Sequence, residues 1–293
     1  MAAEFQPGRG MVLADAVPGE PLIVFKDVRL GFDDGEVLKG ISFEVSPGET
    51  KVLLGESGSG KTLIMKLSAG LLRPDSGKIW VMGRDVTEMT ERELLDFRRH
   101  LGFVFQEGAL FDSMTVEDNV AFRLREEGTD EDKIETQVRQ VLRFVEMEHA
   151  INQYPADLSG GMRRRVSIAR ALVDHPAVVF YDSPTAGLDP VTSQTIINLI
   201  LRGRDAQGVT SLLATHRVQD AFGLAHYRFD VDSGRVMPIA ANGTPAALAA
   251  KRHDVSPTNV LVFRDGHIYF QASAEEFGRS SDTYLKEFLA SAT

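Results

Sequence analysis

A chain of 293 residues can bury a substantial core, and its length favours one domain with an elaborated subdomain. With 43% hydrophobic and 25% charged residues, wholesale disorder is excluded. The absence of cysteine removes disulfides, thiolate catalysis and cysteine-ligated metals together, and a formal net charge of −10 argues against an extended nucleic-acid interface, so no nucleic-acid partner is expected. No apolar run approaches the roughly 18 residues of a membrane span, and the N-terminus lacks a basic segment followed by an apolar one. The expected place is cytoplasmic, with any membrane attachment through a partner.

Residues 1–20, rich in Gly, Ala and Pro without periodicity, read as a flexible tail, and the folded part, 21–293, is expected to start at Leu22. The runs Leu22–Leu30 and Val37–Val45 are strand-like and precede the turn Ser46-Pro47-Gly48 and an apolar strand, Lys51–Leu54. That strand runs directly into Gly55-Glu56-Ser57-Gly58-Ser59-Gly60-Lys61-Thr62. Thr62–Leu72 then reads as a helix, Pro74-Asp75-Ser76-Gly77 as a turn and Lys78–Met82 as a strand. Thr90 with Glu93 predicts a capping box for a helix reaching about Arg99, and Leu101–Phe105 predicts a buried strand ending at Gln106.

Beyond Glu107 the strand signals vanish, and Ile134, Val138, Val141, Leu142 and Val145 keep helical spacing among many charges. Residues from about 107 to 175 are therefore expected to hold an inserted helical subdomain, with Glu126–Asp132 a solvated connection and Arg163, Arg164 and Arg165 a solvated helix face. Alternation resumes with a helix from Gly161 to Asp174, a strand Ala177–Tyr181, a helix after Pro190 and a strand Val209–Ala214. This order implies a largely parallel sheet covered by helices. Residues of about 230–257 read as a loop or small insertion, and 258–293 as a hairpin turning at Asp265-Gly266, followed by a helix.

The chemistry begins at residues 55–62. Gly55, Gly58 and Gly60 let the backbone approach a phosphate closely, the N–H groups of Glu56, Ser57 and Ser59 and the following helix N-terminus attract the anion, and Lys61 adds a cation. Thr62 can place a hydroxyl on Mg²⁺. Four further features accompany this loop: Gln106 after a strand, Leu158-Ser159-Gly160-Gly161-Met162 opening a helix, Val178-Val179-Phe180-Tyr181-Asp182 ending in a carboxylate, and His216 after another strand.

Their order and spacing resemble the nucleotide-binding subunit of ABC transporters. The resemblance implies an α/β P-loop fold with a mostly parallel core sheet, an antiparallel β part at the N-terminus and an inserted helical subdomain, using ATP and Mg²⁺. It further implies that Phe32 stacks on adenine, that Gln106 reaches Mg²⁺ or the attacking water, that Asp182 holds Mg²⁺ through water, and that His216 contacts the γ-phosphate. Ser159, Gly160 and Gly161 would complete the site of a second copy in a head-to-tail ATP sandwich. Asp189, in Gly187-Leu188-Asp189-Pro190, would sit in the loop through which the two sites communicate.

One position departs from that pattern, because the residue after the Asp182 carboxylate is ordinarily a glutamate and here is Ser183. A hydroxyl is a poor base, and losing a positioned general base costs about 10²–10⁴ in rate. Slow hydrolysis, a base from another group, a position altered to trap ATP, or pairing with a different ATPase subunit are all compatible with it. Gly108-Ala109-Leu110-Phe111-Asp112-Ser113-Met114-Thr115-Val116-Glu117-Asp118-Asn119-Val120 looks like the Mla/Mce-type lipid-transport ATPases. That resemblance implies an integral-membrane permease, an MCE-domain lipid-binding protein and a place on the inner face of the cytoplasmic membrane. A generic ABC docking surface, a non-transport ABC ATPase and an ATP-gated module are the alternatives.

Overall fold

The computed structural model describes residues 20–239 and 258–290. Almost all of the expected tail, most of the expected insertion at 230–257, and the last three residues lie outside them. The chain opens with an antiparallel layer in which β1 (Ile23–Phe32) pairs with β2 (Gly35–Val45) and with β4 (Ser76–Val81), and β4 also pairs with the two-residue β5 (Arg84–Asp85). β3 (Thr50–Gly55) leaves this layer for the main sheet and feeds α1 (Lys61–Ser68). α1 stops four residues short of the expected Leu72, because Gly70 adopts a φ of 63° and the Leu71 N–H closes back on the Lys66 carbonyl at 2.8 Å.

α2 (Glu91–Arg98) carries the expected capping box, with the Glu93 N–H donating to Thr90 Oγ1 and the Thr90 N–H donating to Glu93 Oε2. β6 (Leu101–Val104) leads to a helical region made of α3 (Val116–Glu126), α4 (Glu131–Phe144) and α5 (Gly160–Leu172). Asp130, inside the stretch read as a solvated connection, caps α4 by accepting from the Asp132 N–H. β7 (Val178–Asp182), α6 (Pro190–Gln207), β8 (Thr210–Thr215) and α7 (Val218–His226) restore the alternation. β9 (Tyr227–Asp230) and β10 (Arg235–Pro238) then form an antiparallel pair, which corrects the reading of 230–238 as loop. Its signal was the turn Asp232-Ser233-Gly234, where Asp230 Oδ2 accepts from the Ser233 N–H at 3.0 Å. β11 (Thr258–Arg264) and β12 (His267–Ser273) make the expected hairpin, followed by α8 (Ala274–Gly278) and α9 (Thr283–Ala290).

The main sheet has the order β12-β11-β3-β8-β7-β6, parallel throughout except for β12. Side chains alternate across it, as the strand period requires. Val52, Leu54, Val179, Tyr181, Leu213 and Val260 face the helical side, whereas Leu53, Phe180, Leu212 and Leu261 pack with β1, β2, β4 and α1. Both faces are buried, which is why these strands read as unbroken apolar runs. Among the described residues no helix is long and apolar enough to cross a membrane.

Four elements meet on one buried ion pair. Arg204 on α6 donates from Nε and Nη2 to the two carboxylate oxygens of Asp205 at 2.6 and 3.0 Å, and from Nη1 to the Leu224 carbonyl and Thr258 Oγ1. Asp205 in turn accepts from the Phe229 N–H at 2.7 Å. Removing one partner leaves the other charge buried and uncompensated, so Arg204→Ala is expected to lower the unfolding free energy by about 3–5 kcal/mol in denaturant melts. A loss below about 1 kcal/mol would show that the clamp is not structural.

Candidate functional site

Parallel pairing sets the ends of the strands in line. Leu54 on β3 is opposite Thr215 on β8, Ala214 is opposite Asp182 on β7, and Tyr181 is opposite Val104 on β6. One or two residues further on, the chain therefore delivers the 55–62 loop, His216, Ser183 and Gln106 to a single edge. This is the carboxyl edge, where ligands of open α/β sheets bind.

The loop itself is built for an anion. Gly60, with a φ of 94°, caps α1 without any side-chain hydrogen bond, and the first turn contains no acid, so the helix N–H groups are left for a ligand. A side chain at Gly60 would be strained at this φ, and its Cβ would sit 2.6 Å from Leu38 Cδ2, so Leu38 would have to shift. Lys61 is nearly buried, and its Nζ donates to the Gly55 and Glu56 carbonyls at 2.9 and 2.7 Å and to Ser59 Oγ at 3.2 Å. Burial pushes the Lys61 ammonium below its ordinary value, opposed by the charges of Asp182 and Glu56. A cleft of about 450 Å³ opens beside Glu56–Ser59, walled on its other side by Arg264, Asp265 and Tyr284. Arg264 lies over the Tyr284 ring at 4.2 Å, so the C-terminal hairpin and α9 flank the loop.

Thr62 Oγ1 donates to Asp182 Oδ2 at 3.0 Å, placing two hard oxygen ligands side by side at the helix start. Ser183 Oγ lies 3.5 Å from the other Asp182 oxygen. Ser183 adopts a φ of 48°, and its N–H is tied to the Ala214 carbonyl at 2.8 Å, so the backbone of this position is fixed. Gln106 and His216 are exposed on the same edge, and Phe32 is 53% exposed at the end of β1, where it is opposite Gly35.

Ser159, Gly160 and Gly161 stand elsewhere, at the start of α5, where Ser159 Oγ accepts from the Met162 N–H at 3.2 Å. They pack against the start of α6. A Cβ at Gly161 would lie 2.4 Å from Thr192 Cγ2, and Thr192 is itself held by Asp189, which accepts from the Val191 and Thr192 N–H groups at 3.0 Å. The structure thus brings the 159–161 turn and Asp189 together, apart from the strand-edge group.

Residues 38–186 match the ABC transporter family. The chain belongs to that family. Among curated relatives, it is 37% identical to the methionine import ATP-binding protein MetN of Rhizobium johnstonii over 76% of this chain and 62% of that protein. The chain therefore spans about three fifths of the methionine importers' length. It is also 33% identical to the intermembrane phospholipid transport system ATP-binding protein MlaF of Haemophilus influenzae, over 87% of this chain and 96% of MlaF. The solved dimer of the ATP-binding cassette MJ0796, in a post-hydrolysis state with ADP and phosphate, aligns with a TM-score of 0.69 at 24% identity, covering 86% of this chain and 98% of that one. The P-loop ABC fold expected from sequence is the fold observed.

ABC ATPases use ATP with Mg²⁺, and the residues here fit both. The uncapped α1 N-terminus and Lys61 suit the phosphates. Thr62 Oγ1 and Asp182 Oδ2, 3.0 Å apart at the start of α1, are the hard oxygen donors that would hold Mg²⁺. When bound, Mg²⁺ would supply charge neutralisation on the phosphate oxygens.

Two groups of this ABC ATPase were hidden from the sequence. Arg163–Arg165 is not a solvated face. Arg164 is buried, and its Nη1 donates to the Phe105 carbonyl at 2.6 Å, one residue before Gln106, while Arg163 bonds the Leu158 carbonyl and Arg165 pairs with Glu146. The second is a buried cluster around Asp220, Thr185 and Thr215. The partners that bury them, Phe105 for Arg164 and Thr185 for Asp220, lie 59 and 35 residues away, beyond the reach of local pattern.

The Gly161 clearance makes a direct test. Gly161→Ala is expected to force α5 off α6, with an overpacking cost of about 1–3 kcal/mol and a loss of ATP turnover. Thr192→Ser removes the obstructing methyl while keeping the hydroxyl on Asp189, and in the Gly161→Ala background it should restore both thermal stability and turnover.

Proposed function

We propose that this chain is the ATP-hydrolysing subunit of an ABC transporter of Mla/Mce type, coupling ATP binding and hydrolysis to phospholipid movement through a separate permease. The observation that carries this reading is the near end-to-end match to MlaF, alongside methionine importers that extend well beyond the aligned part. The 108–120 stretch, on which the sequence resemblance rests, supports it further. Asn119 is buried and uses Nδ2 and Oδ1 on the Phe111, Met114 and Thr115 backbone, while Arg170 donates to the Gly108 and Ala109 carbonyls and lies 5.8 Å from the Phe111 ring. This pinning holds Phe111, 42% exposed, as a rigid apolar contact for a permease.

In this reading the chain works as a head-to-tail dimer on the cytoplasmic face of the inner membrane, with an MCE-domain protein as a further partner. Phe32 stacks on adenine, residues 55–62 cradle the phosphates, Thr62 and Asp182 serve Mg²⁺, Gln106 orients the attacking water and His216 contacts the γ-phosphate. Ser159, Gly160, Gly161 and Asp189 act across the dimer. The greater identity to MetN favours a second reading, an importer ATPase for a small polar substrate. ATP turnover by the chain with its permease, reconstituted in vesicles, separates the two: stimulation by anionic phospholipid and not by methionine supports the lipid reading, and the reverse supports the importer.

Ser183 yields the rate prediction. The fixed backbone at φ 48° already tolerates a side chain, so Ser183→Glu restores a carboxylate beside Asp182 without new strain. Turnover of the complex should rise by about 10²–10⁴. Equal rates for the two proteins would sink the idea that Ser183 limits hydrolysis.

A further inference from the structure

Asp220 is 1% exposed in the first turn of α7, yet it does not serve that helix. Its Oδ2 accepts from two hydroxyls, Thr185 Oγ1 at 2.6 Å and Thr215 Oγ1 at 2.7 Å. Thr215 is the last residue of β8, immediately before His216, and Thr185 lies in the segment between Asp182 and Asp189. Arg217 closes the group from the outside. Its Nε lies 3.8 Å from Asp220 Oδ1, its Nη1 donates to the Thr185 carbonyl at 3.3 Å and to Ser193 Oγ at 2.9 Å, and its N–H donates to Thr215 Oγ1 at 3.0 Å.

A carboxylate near a helix N-terminus is ordinarily explained by the helix's own N–H groups. Here one oxygen is shared between two loops that the chain reaches by different strands. Burial pushes the Asp220 carboxyl above the usual carboxylate range, opposed by the two threonine hydroxyls and the charges of Arg217 and His216.

We propose that Asp220 is a positioning residue for ATP hydrolysis: a single carboxylate oxygen locks the strand end carrying His216 to the Thr185 segment leading to Asp189, so that the two loops move as one body. Nucleotide engagement at His216 is then felt at Asp189, and displacement of Asp189 is felt at His216. The inference rests on the reading of His216 as a nucleotide-contacting group.

The test is steady-state ATPase of the full chain with its permease, comparing Asp220→Ala, Asp220→Asn, His216→Ala and the Asp220→Ala/His216→Ala double variant, with thermal melts and a fluorescent ATP analogue as separate readouts. Asp220→Ala is expected to lower kcat by about 10²-fold, the scale of a 1 Å misplacement, with KM and analogue affinity little changed. Asp220→Asn, which keeps an acceptor for both threonines, should recover most of that loss. The double variant should turn over no more slowly than His216→Ala alone, because both changes disable the same group. Losses that multiply, or an Asp220→Ala protein with wild-type kcat beside an impaired His216→Ala, overturn the inference while leaving the reading of His216 intact. Wild-type turnover in His216→Ala overturns both. If Asp220→Ala fails to fold, Thr185→Val removes one of the two hydroxyls without changing volume, and an unchanged kcat in that protein overturns the inference as well.

Discussion

Everything at the site depends on the in-register parallel pairing of β3, β8, β7 and β6. Those backbone hydrogen bonds carry no chemistry themselves, but they fix which residues emerge together at the carboxyl edge. A slip of one residue between β7 and β8 would turn Asp182 to the opposite face and separate it from Thr62. The register is secured by burial on both faces, with Leu53, Phe180 and Leu212 committed to one side and Val52, Val179 and Leu213 to the other. Stability of the sheet and geometry of the site are therefore the same constraint.

Within that frame, binding and hydrolysis draw on different groups. In the proposed reading phosphate is attracted by the α1 N-terminus, the loop amides and Lys61, whose Nζ is held by the Gly55 and Glu56 carbonyls. The position next to Asp182 is equally rigid, with its N–H bonded across to β8, but it presents a hydroxyl. The fixed backbone there would hold a carboxylate as firmly as it holds this hydroxyl.

What could be read from the sequence was what is contiguous or periodic. The 55–62 loop is one uninterrupted stretch flanked by a strand and a helix, and the apolar runs of β3, β7 and β8 announce doubly buried strands. Long-range side-chain partners were not legible. Arg164 finds the Phe105 carbonyl 59 residues away, and Asp220 finds Thr185 35 residues away. A basic triplet on an amphipathic helix reads as solvent-facing, yet here the Phe105 carbonyl, which already accepts from the Gly108 N–H, takes a second hydrogen bond from the buried Arg164 guanidinium. The β9–β10 pair escaped for another reason: strands of four residues are too short for alternation to stand out.

The same device recurs wherever a loop must be rigid. Arg98 donates to the Ala69 and Gly70 carbonyls at the end of α1, Arg170 to Gly108 and Ala109, and Arg164 to Phe105. Burial lowers the pKa of both Arg164 and Arg170, but a guanidinium starts so high that it remains charged, which makes it suited to this duty where lysine is not. Loops cannot draw rigidity from a ladder of their own, so the cations of the helices behind them provide it. Asp220 is the acidic counterpart, a carboxyl oxygen gathering hydroxyls where the arginines gather carbonyls. Each staple ties a loop to the element beneath it, whereas the Asp220 cluster ties two loops of the carboxyl edge to each other.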